Sequence, residues 1–351
     1  MRTVAVVSFA QAANVAANNR LNEVEMLMPV VREALSACGI SSGEVGFTVS
    51  GSCDYLVGVP FSFVTALDAI GAWPPIEESH VEMDGAWALY EAWARLQHGD
   101  VDTALVYSFG KSSSVDLNRL LSHQLDPYYT MPLWPDARSL AGLQARAMID
   151  AGRCSERQMA SVVVRSLRDA KNNPKAHRRG DLSVEEILSS SYVASPLRSY
   201  DCGPSCDGAA AIVLAAEEKA RELCRQPAWI RAIEHRIDSH SLGARDLTRS
   251  PSAASAAEAL GTSLSGVEVA ELHAPFSHQE LLLRHELGFG DNVAINPSGG
   301  ALAANSFMVA GLTRLGEAAS AIFSDDASLV LGHATSGPCL QQNLLCLMEA
   351  R

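Results

Sequence analysis

Short apolar runs alternate with stretches of helical periodicity along the chain, and this alternation predicts a layered α/β fold. In the first half the pattern predicts strands at Thr3–Phe9, Gly46–Ser50 and Thr103–Phe109. It predicts a helix at Glu23–Cys38, ended by Gly39, and a buried helix at Gly85–Gln97. Helices and strands therefore follow one another from residue 3 to residue 109.

The second half of the chain has a similar order of elements. The first half closes with a strand at Asp207–Ala215 and a polar helix at Glu217–Arg225, and the predicted boundary Gln226-Pro227 comes next. A helix at Ser306–Ala319 and a strand at Ser328–Leu331 then repeat the earlier sequence of buried helix, acidic turn and buried strand. We therefore predict two similar halves, residues 1–222 and 226–351.

The segment of about residues 111–193 differs from its surroundings. It contains Asp126-Pro127-Tyr128-Tyr129, Trp134-Pro135 and the basic run Lys171–Arg179, with two helical patches between them. We predict that it is a long inserted loop region of the first half, since loops of this length in compact domains often carry function. The basic run is either a solvated face or a site for phosphate groups.

The composition is that of a globular protein, with 48% hydrophobic and 19% charged residues among 351. These values exclude a disordered, collagenous or disulfide-scaffold protein. The formal net charge of −13 disfavours nucleic acid or an anionic membrane as the main partner, because phosphate binding requires clustered Lys and Arg. The eight cysteines form no C-x-x-C pair, and we predict no metal site.

The N-terminal apolar run Thr3–Val7 is too short for a confident signal peptide. No stretch approaches the roughly 18 apolar residues that cross a bilayer. We therefore expect a cytoplasmic protein with reduced cysteines and no membrane span.

Candidate chemistry lies in three segments that are rich in Gly, His and polar residues. They are Glu271–Glu280, the stretch Asn296–Phe307 and Gly332–Cys339. The first follows the apolar run Val267–Ala270, and the third follows the predicted strand Ser328–Leu331. We expect the polar side chains of all three on loops at strand ends, where α/β folds usually carry their sites.

These segments resemble the thiolase superfamily, in particular thiolases related to sterol carrier protein. The matching motifs are Glu-Leu-His-Ala-Pro-Phe at 271–276, Asn-Pro-Ser-Gly-Gly-Ala-Leu at 296–302 and the strand motif at 199–211. The resemblance implies a five-layer αβαβα fold of two similar halves and a site for an acyl thioester. Coenzyme A would then be part of the substrate, with no tightly bound cofactor.

The chain departs from the family pattern where the family has its nucleophile. The stretch Val81–Trp87 has no cysteine, and Gly85 aligns with the nucleophile position. The family's Gly-His-Pro becomes Asn305-Ser306-Phe307, and its C-terminal Cys-x-Gly motif falls in 333–339. A covalent acyl-enzyme is therefore not expected.

We select His273 as the candidate base, because an imidazole with an ordinary pKa of about 6.5 can accept a hydroxyl proton. The alternative is a buried structural histidine. Further catalytic candidates are Ser306, His333 and Asp84, of which Ser306 and Asp84 could instead be helix caps. His278 is interpreted as a cap or surface residue. The candidates for binding the thioester are Gly299, Gly300, Asn305 and Gly337.

Two functions remain open. Similar proteins of actinobacterial steroid degradation lack the cysteine and act as retro-aldolases with a small OB-fold, zinc-ribbon partner, but they have tyrosines at the positions of His273 and Ser306. The first hypothesis is thus an acyl-CoA carbon–carbon lyase of lipid or steroid breakdown. The second is a non-catalytic subunit or acyl-CoA carrier. The resemblance also implies a homodimer or a heterodimer with a thiolase-like paralogue.

Overall fold

The computed structural model describes residues 1–71 and 76–351. The strands are β1 (Val4–Gln11), β2 (Phe47–Gly51), β3 (Glu78–Val81), β4 (Thr103–Lys111), β5 (Tyr192–Ala194), β6 (Leu197–Arg198), β7 (Ser205–Ala216), β8 (Ala228–Ile237), β9 (Val269–Leu272), β10 (Ala294–Ile295), β11 (Asn305–Ser306), β12 (Leu329–Ser336) and β13 (Gln342–Glu349). The helices are α1 (Glu23–Cys38), α2 (Asp54–Val57), α3 (Phe63–Ile70), α4 (Gly85–Leu96), α5 (Leu117–His123), α6 (Ala137–Asp150), α7 (Glu156–Asp169), α8 (Val184–Ser189), α9 (Glu217–Leu223), α10 (Pro251–Ala259), α11 (Ser277–Glu286), α12 (Gly300–Ala303) and α13 (Ala310–Phe323). In the described ranges, no helix has the length and apolarity needed to cross a bilayer.

The sheet repeats one topology in the two halves of the chain. Its strand order is β10-β9-β12-β13-β8-β1-β7-β4-β2-β3, so reading outward from the centre gives the same order twice. In the first half β2 is parallel to β3 and β4, and β7 is antiparallel to β4 and β1. In the second half β9 is parallel to β10 and β12, and β13 is antiparallel to β12 and β8.

Helices lie in three layers around this sheet. Helices α4 and α13 form the middle layer and pack on the inner faces of both halves, while α1 covers one outer face and α10 covers the other. The strands alternate accordingly, because successive side chains point to opposite faces. On β1, Val4 and Val6 join the central core, whereas Ala5 and Val7 join the outer core beneath α1. The predicted five-layer α/β arrangement is confirmed.

Local sequence signals placed most of the elements well. Helix α1 has the predicted bounds, and it begins with a capping box between Asn22 and Glu25. It ends at Gly39 in the left-handed conformation. The prediction of a helix opening at Ser306 was wrong, because α13 begins four residues later, at Ala310. Ser306 instead lies in the extended segment β11, which pairs with β7.

The inserted region connects β4 to β7. It contains α5, α6, α7 and α8 and is therefore largely helical. Buried Asp207 of β7 fastens the start of this region to the sheet by accepting hydrogen bonds from the hydroxyl (2.6 Å) and the N–H (2.9 Å) of Ser113. The insertion thus packs against the end of β7, close to β11.

Candidate active site at the start of the two central helices

The starts of the two central helices meet at Asp84. Its side chain accepts a hydrogen bond from the Ala86 N–H (2.9 Å), which makes it the N-cap of α4, the alternative to a catalytic role. The same carboxylate accepts from the N–H groups of Gly311 (2.8 Å) and Leu312 (2.9 Å) in the first turn of α13. One buried carboxylate therefore caps a helix from each half. Burial raises the pKa of Asp84 to about 6, and the three N–H donors oppose the rise.

Gly85, which the sequence motif aligns with the family's nucleophile, is closely packed in the direction of a side chain. A Cβ atom built there would lie 2.6 Å from Ser108 Cβ and 2.9 Å from Leu312 Cδ2. Its N–H donates to Met308 O at 2.9 Å, and the Ser108 hydroxyl donates to the same carbonyl. The first residue of α4 thus has no space for a side chain, and the helix start is tied to the loop before α13.

His273 and Asn305 form the polar pair of this site. His273 follows β9 directly, and its Nε2 lies 3.1 Å from Asn305 Oδ1. The N–H of Thr335, at the end of β12, donates to Nδ1 of the same ring at 3.4 Å. Since Nδ1 is an acceptor here, Nε2 carries the proton and donates to Asn305. The long Thr335 contact is the weaker of the two.

Burial keeps the His273 ring neutral. Desolvation lowers its pKa to about 3; Asn305 opposes this shift, while His333 and the Arg314 guanidinium add to it. The ordinary value expected from the sequence therefore does not hold. A ring that is only 7% exposed loses the hydration that stabilises imidazolium in water.

Ser306 contributes a buried hydroxyl that has no hydrogen-bond partner among the residues that the structure describes. The close approach of β11 to β7 explains its position, since Gly208 leaves room where a Cβ would lie 2.9 Å from Ser306 Oγ. Asn14 Oδ1 would be 3.0 Å from that same point. A buried hydroxyl without a partner is a group available to a ligand. It is not a cap of α13, because Val309 occupies the N-cap position.

The double-glycine loop is held by a buried ion pair that the sequence analysis overlooked. Glu271 and Arg314 lie 2.6 Å apart, and neither side chain is more than 3% exposed. Glu271 also accepts from the N–H (2.9 Å) and the hydroxyl (2.8 Å) of Ser298. A single arginine in the otherwise apolar run of α13 was the available signal.

The backbone N–H groups of Gly299 and Gly300 are engaged within their own loop. Gly299 donates to Asn296 O at 2.9 Å, and Gly300 donates to Ser298 Oγ at 3.3 Å. Gly337 lies in the turn after β12, with φ of 74°. Among the predicted binding residues, Asn305 is the one whose side chain contacts His273.

In the described ranges the side chains of His333 and His278 form no hydrogen bond with the His273 ring, although the His273 N–H donates to the His333 carbonyl at 3.3 Å. The predicted turn at His333 was wrong: this residue lies on β12, fully buried, with Nε2 2.9 Å from Asn343 Oδ1. Strand alternation directs it to the face of the sheet opposite Ala334, whereas His273 lies on the side of α13. His278 was predicted as a cap or surface residue, but it is fully buried, with Nε2 3.1 Å from Gln144 Oε1.

The cysteines offer no activated thiol in the described residues. All eight are free. Burial raises the pKa of Cys206, the pairing neighbour of Ser306, to about 11, and it does the same for Cys339 in the last motif. Since the thiolate is the nucleophile, these thiols are inert at neutral pH.

Comparison with curated proteins finds acetyl-CoA acetyltransferases. The chain is 30% identical to the Methanocaldococcus jannaschii enzyme over 319 residues, which cover 81% of each chain. It is also 30% identical to the Methanothermobacter thermautotrophicus enzyme over 184 residues, covering 46% of this chain and 48% of that one. A third relative is the 17-hydroxy-3-oxo-4-pregnene-20-carboxyl-CoA lyase of Mycobacterium tuberculosis, 31% identical over 42% of this chain and 36% of the lyase. No protein-family model matches the chain.

Solved structures share the fold over the whole chain. One described as Ltp2-ChsH2(DUF35) aldolase has a TM-score of 0.81 at 19% identity, covering 99% of this chain and 98% of that chain. Human mitochondrial 3-ketoacyl-CoA thiolase has a TM-score of 0.82 at 14% identity, covering 100% and 99%. At these identities the likeness concerns the fold.

Proposed function

The chain belongs to the thiolase superfamily, and from this premise we propose that it cleaves a carbon–carbon bond of an acyl-CoA by a retro-aldol reaction, without a covalent cysteine intermediate. The observation that carries the proposal is the contact of buried His273 with Asn305, next to the buried Ser306 hydroxyl on the same strand, in a chain that has no space for a thiol at Gly85. Polar groups are costly to bury, so their presence beside a lost nucleophile favours a role in noncovalent chemistry.

The reaction begins at the β-hydroxyl of a β-hydroxyacyl-CoA. His273 gives up its 3.4 Å contact with Thr335 and accepts the hydroxyl proton at Nδ1, while Nε2–H stays on Asn305. The oxygen's electron pair forms a carbonyl, the Cα–Cβ bond breaks, and its electron pair passes into the thioester enolate. The products are a ketone or aldehyde and, after His273 returns the proton to Cα, a shortened acyl-CoA.

The enolate oxygen needs hydrogen-bond donors that are already in position. We assign this role to the Asn305 amide group, which contacts His273, and to the buried hydroxyl of Ser306, the next residue of β11. In a buried site such donors stabilise developing charge more strongly than water does. Two similar proteins support this reaction class by description: the carboxyl-CoA lyase and the Ltp2-ChsH2(DUF35) aldolase.

One observation favours the second candidate, a non-catalytic subunit that binds acyl-CoA. Both ring nitrogens of His273 have partners, and burial lowers its pKa to about 3, which makes the ring a weak proton acceptor. A chain of this kind would support an active paralogue.

Purification from the native host, followed by an assay for CoA-ester cleavage, tests the proposal. The probe is 17-hydroxy-3-oxo-4-pregnene-20-carboxyl-CoA, the compound in the name of the M. tuberculosis relative, together with a simple β-hydroxyacyl-CoA. His273→Ala should lower turnover about 10²- to 10⁴-fold, the usual contribution of general acid–base catalysis, whereas Cys339→Ser should change it far less. Full activity of a complex that contains the His273→Ala chain would remove this residue from the mechanism, and the non-catalytic subunit would become the better interpretation.

We expect the chain to work in a cytoplasmic complex, either as a homodimer or with a thiolase-like paralogue. The similarity to a structure described by two protein names, Ltp2 and ChsH2(DUF35), supports a further partner, such as a small OB-fold zinc-ribbon protein. Light scattering of the purified chain and identification of co-purified proteins test this. A stable monomer at micromolar concentration that brings no partner with it would contradict the expectation.

A further inference from the structure

Asp54, His80 and Glu82 face one another at the edge of the sheet, apart from the candidate active site. Asp54 is the first residue of α2, His80 lies on the edge strand β3, and Glu82 follows that strand. One potential ligand atom from each residue lies within 4.8 Å of the other two. The histidine and Glu82 are two residues apart in extended chain, which brings their side chains to the same side.

The His80 ring is fixed with one nitrogen directed into the cluster. Its Nδ1 lies 3.0 Å from the hydroxyl of Ser50, a fully buried residue of β2. The ring also stacks on Phe63, with centroids 4.8 Å apart and planes at 22°. Nε2 is then directed toward Glu82 Oε2, at 3.3 Å. A partner on the second nitrogen is the usual way in which a metal-ligating histidine is oriented.

Both carboxylates are held in place by the backbone. Asp54 accepts from the N–H groups of Ser62 (2.8 Å) and Phe61 (2.9 Å), and these bonds lower its pKa. Glu82 Oε1 accepts from the Asp54 N–H at 2.8 Å, which leaves Oε2 facing His80. Carboxylate oxygens keep a second lone-pair site after accepting one hydrogen bond. Within the described ranges, no Lys or Arg forms an ion pair with either carboxylate.

We propose that Asp54, His80 and Glu82 bind a divalent transition-metal ion, with zinc as the best match. One imidazole nitrogen and two carboxylate oxygens form a donor set that suits Zn²⁺, and in the part of the chain that the structure describes neither carboxylate is paired with a Lys or Arg. Three protein ligands leave a fourth tetrahedral position for water or for a group of another molecule. The sequence did not reveal the site, because Asp54 is 26 positions from His80 and forms no local motif with it.

A bound ion would tie three elements together near the candidate active site. Asp54 starts α2, His80 belongs to β3, and Glu82 lies two residues before Asp84, the shared cap of α4 and α13. Metal binding is therefore expected to stabilise the approach to the first turn of α4. This inference does not depend on the proposed reaction.

The experiment measures metal binding by the full chain after treatment with a chelator. Zn²⁺ is titrated by calorimetry, and Co²⁺ serves as a spectroscopic probe whose visible absorption reports nitrogen and oxygen coordination. The variants are His80→Phe, which keeps the stacking on Phe63, and Glu82→Gln, which keeps the acceptor for Asp54. The matched control is Glu78→Gln, the same charge change on the same strand at an exposed residue outside the cluster.

We expect one Zn²⁺ to bind per chain. The affinity should fall at least about 10-fold in His80→Phe and Glu82→Gln, the usual effect of losing a metal contact, and should be unchanged in Glu78→Gln. Zn²⁺ should also raise the melting temperature of the wild-type chain and not that of the two variants. Equal binding by all four proteins would mean an adventitious ion only and would overturn the proposal. If both variants fail to fold, the test uses the wild-type protein alone. Absence of a Co²⁺ absorption band in that protein also overturns the proposed metal site.

Discussion

Asp84 and Gly311 are joined across the two halves of the chain by a hydrogen bond of 2.8 Å from the Gly311 N–H to the Asp84 carboxylate. Gly311 permits this approach, because an added Cβ would meet Asp84 and, at 2.7 Å, Ala334 Cβ. The relationship links the first turn of α13 to the residue before α4. Asp84 therefore caps both α4 and α13, and the second half provides no separate capping side chain of its own for α13.

Replacing Asp84 by Ala should therefore destabilise both central helices at once. The change leaves three buried N–H groups without their acceptor, and we expect a loss of about 2–4 kcal/mol, since one cap contributes roughly 0.5–2 kcal/mol. Urea denaturation followed by circular dichroism measures the effect. The control is Asp116→Ala, which removes the cap of the short helix α5 and should cost about 1 kcal/mol. Equal losses in the two proteins would contradict the shared cap.

Acid should destabilise the protein from about pH 6.5 downward. Burial lowers the pKa of His273 and His278 to about 3 and that of His333 to about 4, whereas in the unfolded chain each is 6.5. Between these values the unfolded state binds more protons, so stability falls as pH falls, by up to about 1.4 kcal/mol per pH unit for each histidine. Asp84, with its pKa raised from 3.8 to about 6, acts in the opposite direction, and so do Asp201 and Glu271, whose carboxyl pKa values burial also raises. These carboxyls offset part of the loss that the three histidines cause.

The measurement is the free energy of unfolding at pH 7, 6 and 5. His333→Gln keeps a donor for Asn343 and removes one titrating group. The free energy of unfolding of this variant should therefore change less with pH, by the contribution of one bound proton. The exposed His177 provides the control, and His177→Gln should leave the slope unchanged. A wild-type stability that rises on acidification to pH 5 would contradict this account.

The fold followed from sequence because its signals are local and periodic. Helix α1 had its apolar stripe, its capping box and Gly39, and strand β1 had an uninterrupted apolar run. The candidate site depends on contacts between distant segments, which periodicity does not encode. Ser306 was assigned to a helix because its neighbours are apolar, yet pairing with Cys206 keeps it extended. His333 was placed in a turn because glycines flank it, although it lies within a buried strand.

The pKa of His273 was mispredicted for the same reason. Its value depends on burial and on Arg314, which is 41 positions away, and neither can be deduced from the motif at 271–276. His273 and Asn305 were both selected from the family resemblance, and the structure places them 3.1 Å apart. The family motif thus identified both residues, whereas the protonation state of His273 could be inferred only from its packing.

Breaking the Glu271–Arg314 pair should be costly. Arg314→Met leaves the Glu271 carboxylate buried without its cation, and we expect a loss of about 3–5 kcal/mol. The double variant with Glu271→Gln should regain part of this loss, because no charge then remains buried. Thermal and urea denaturation measure both. As a control, Arg221→Met breaks the exposed pair with Glu218 and should cost at most about 1 kcal/mol.

Restoring a cysteine at Gly85 should not restore a nucleophile. The new side chain would meet Ser108 Cβ at 2.6 Å and Leu312 Cδ2 at 2.9 Å, so α4 or its neighbours must shift, at a cost of about 1–3 kcal/mol. Gly85→Ala adds the same Cβ and should destabilise the chain by a similar amount, which separates steric strain from thiol chemistry. Both proteins are incubated with an acyl-CoA and examined by intact-protein mass spectrometry. We expect no acyl adduct on Gly85→Cys. An adduct formed at full stability would mean that the helix start accommodates a nucleophile, and the noncovalent reaction proposed for His273 would lose its structural basis.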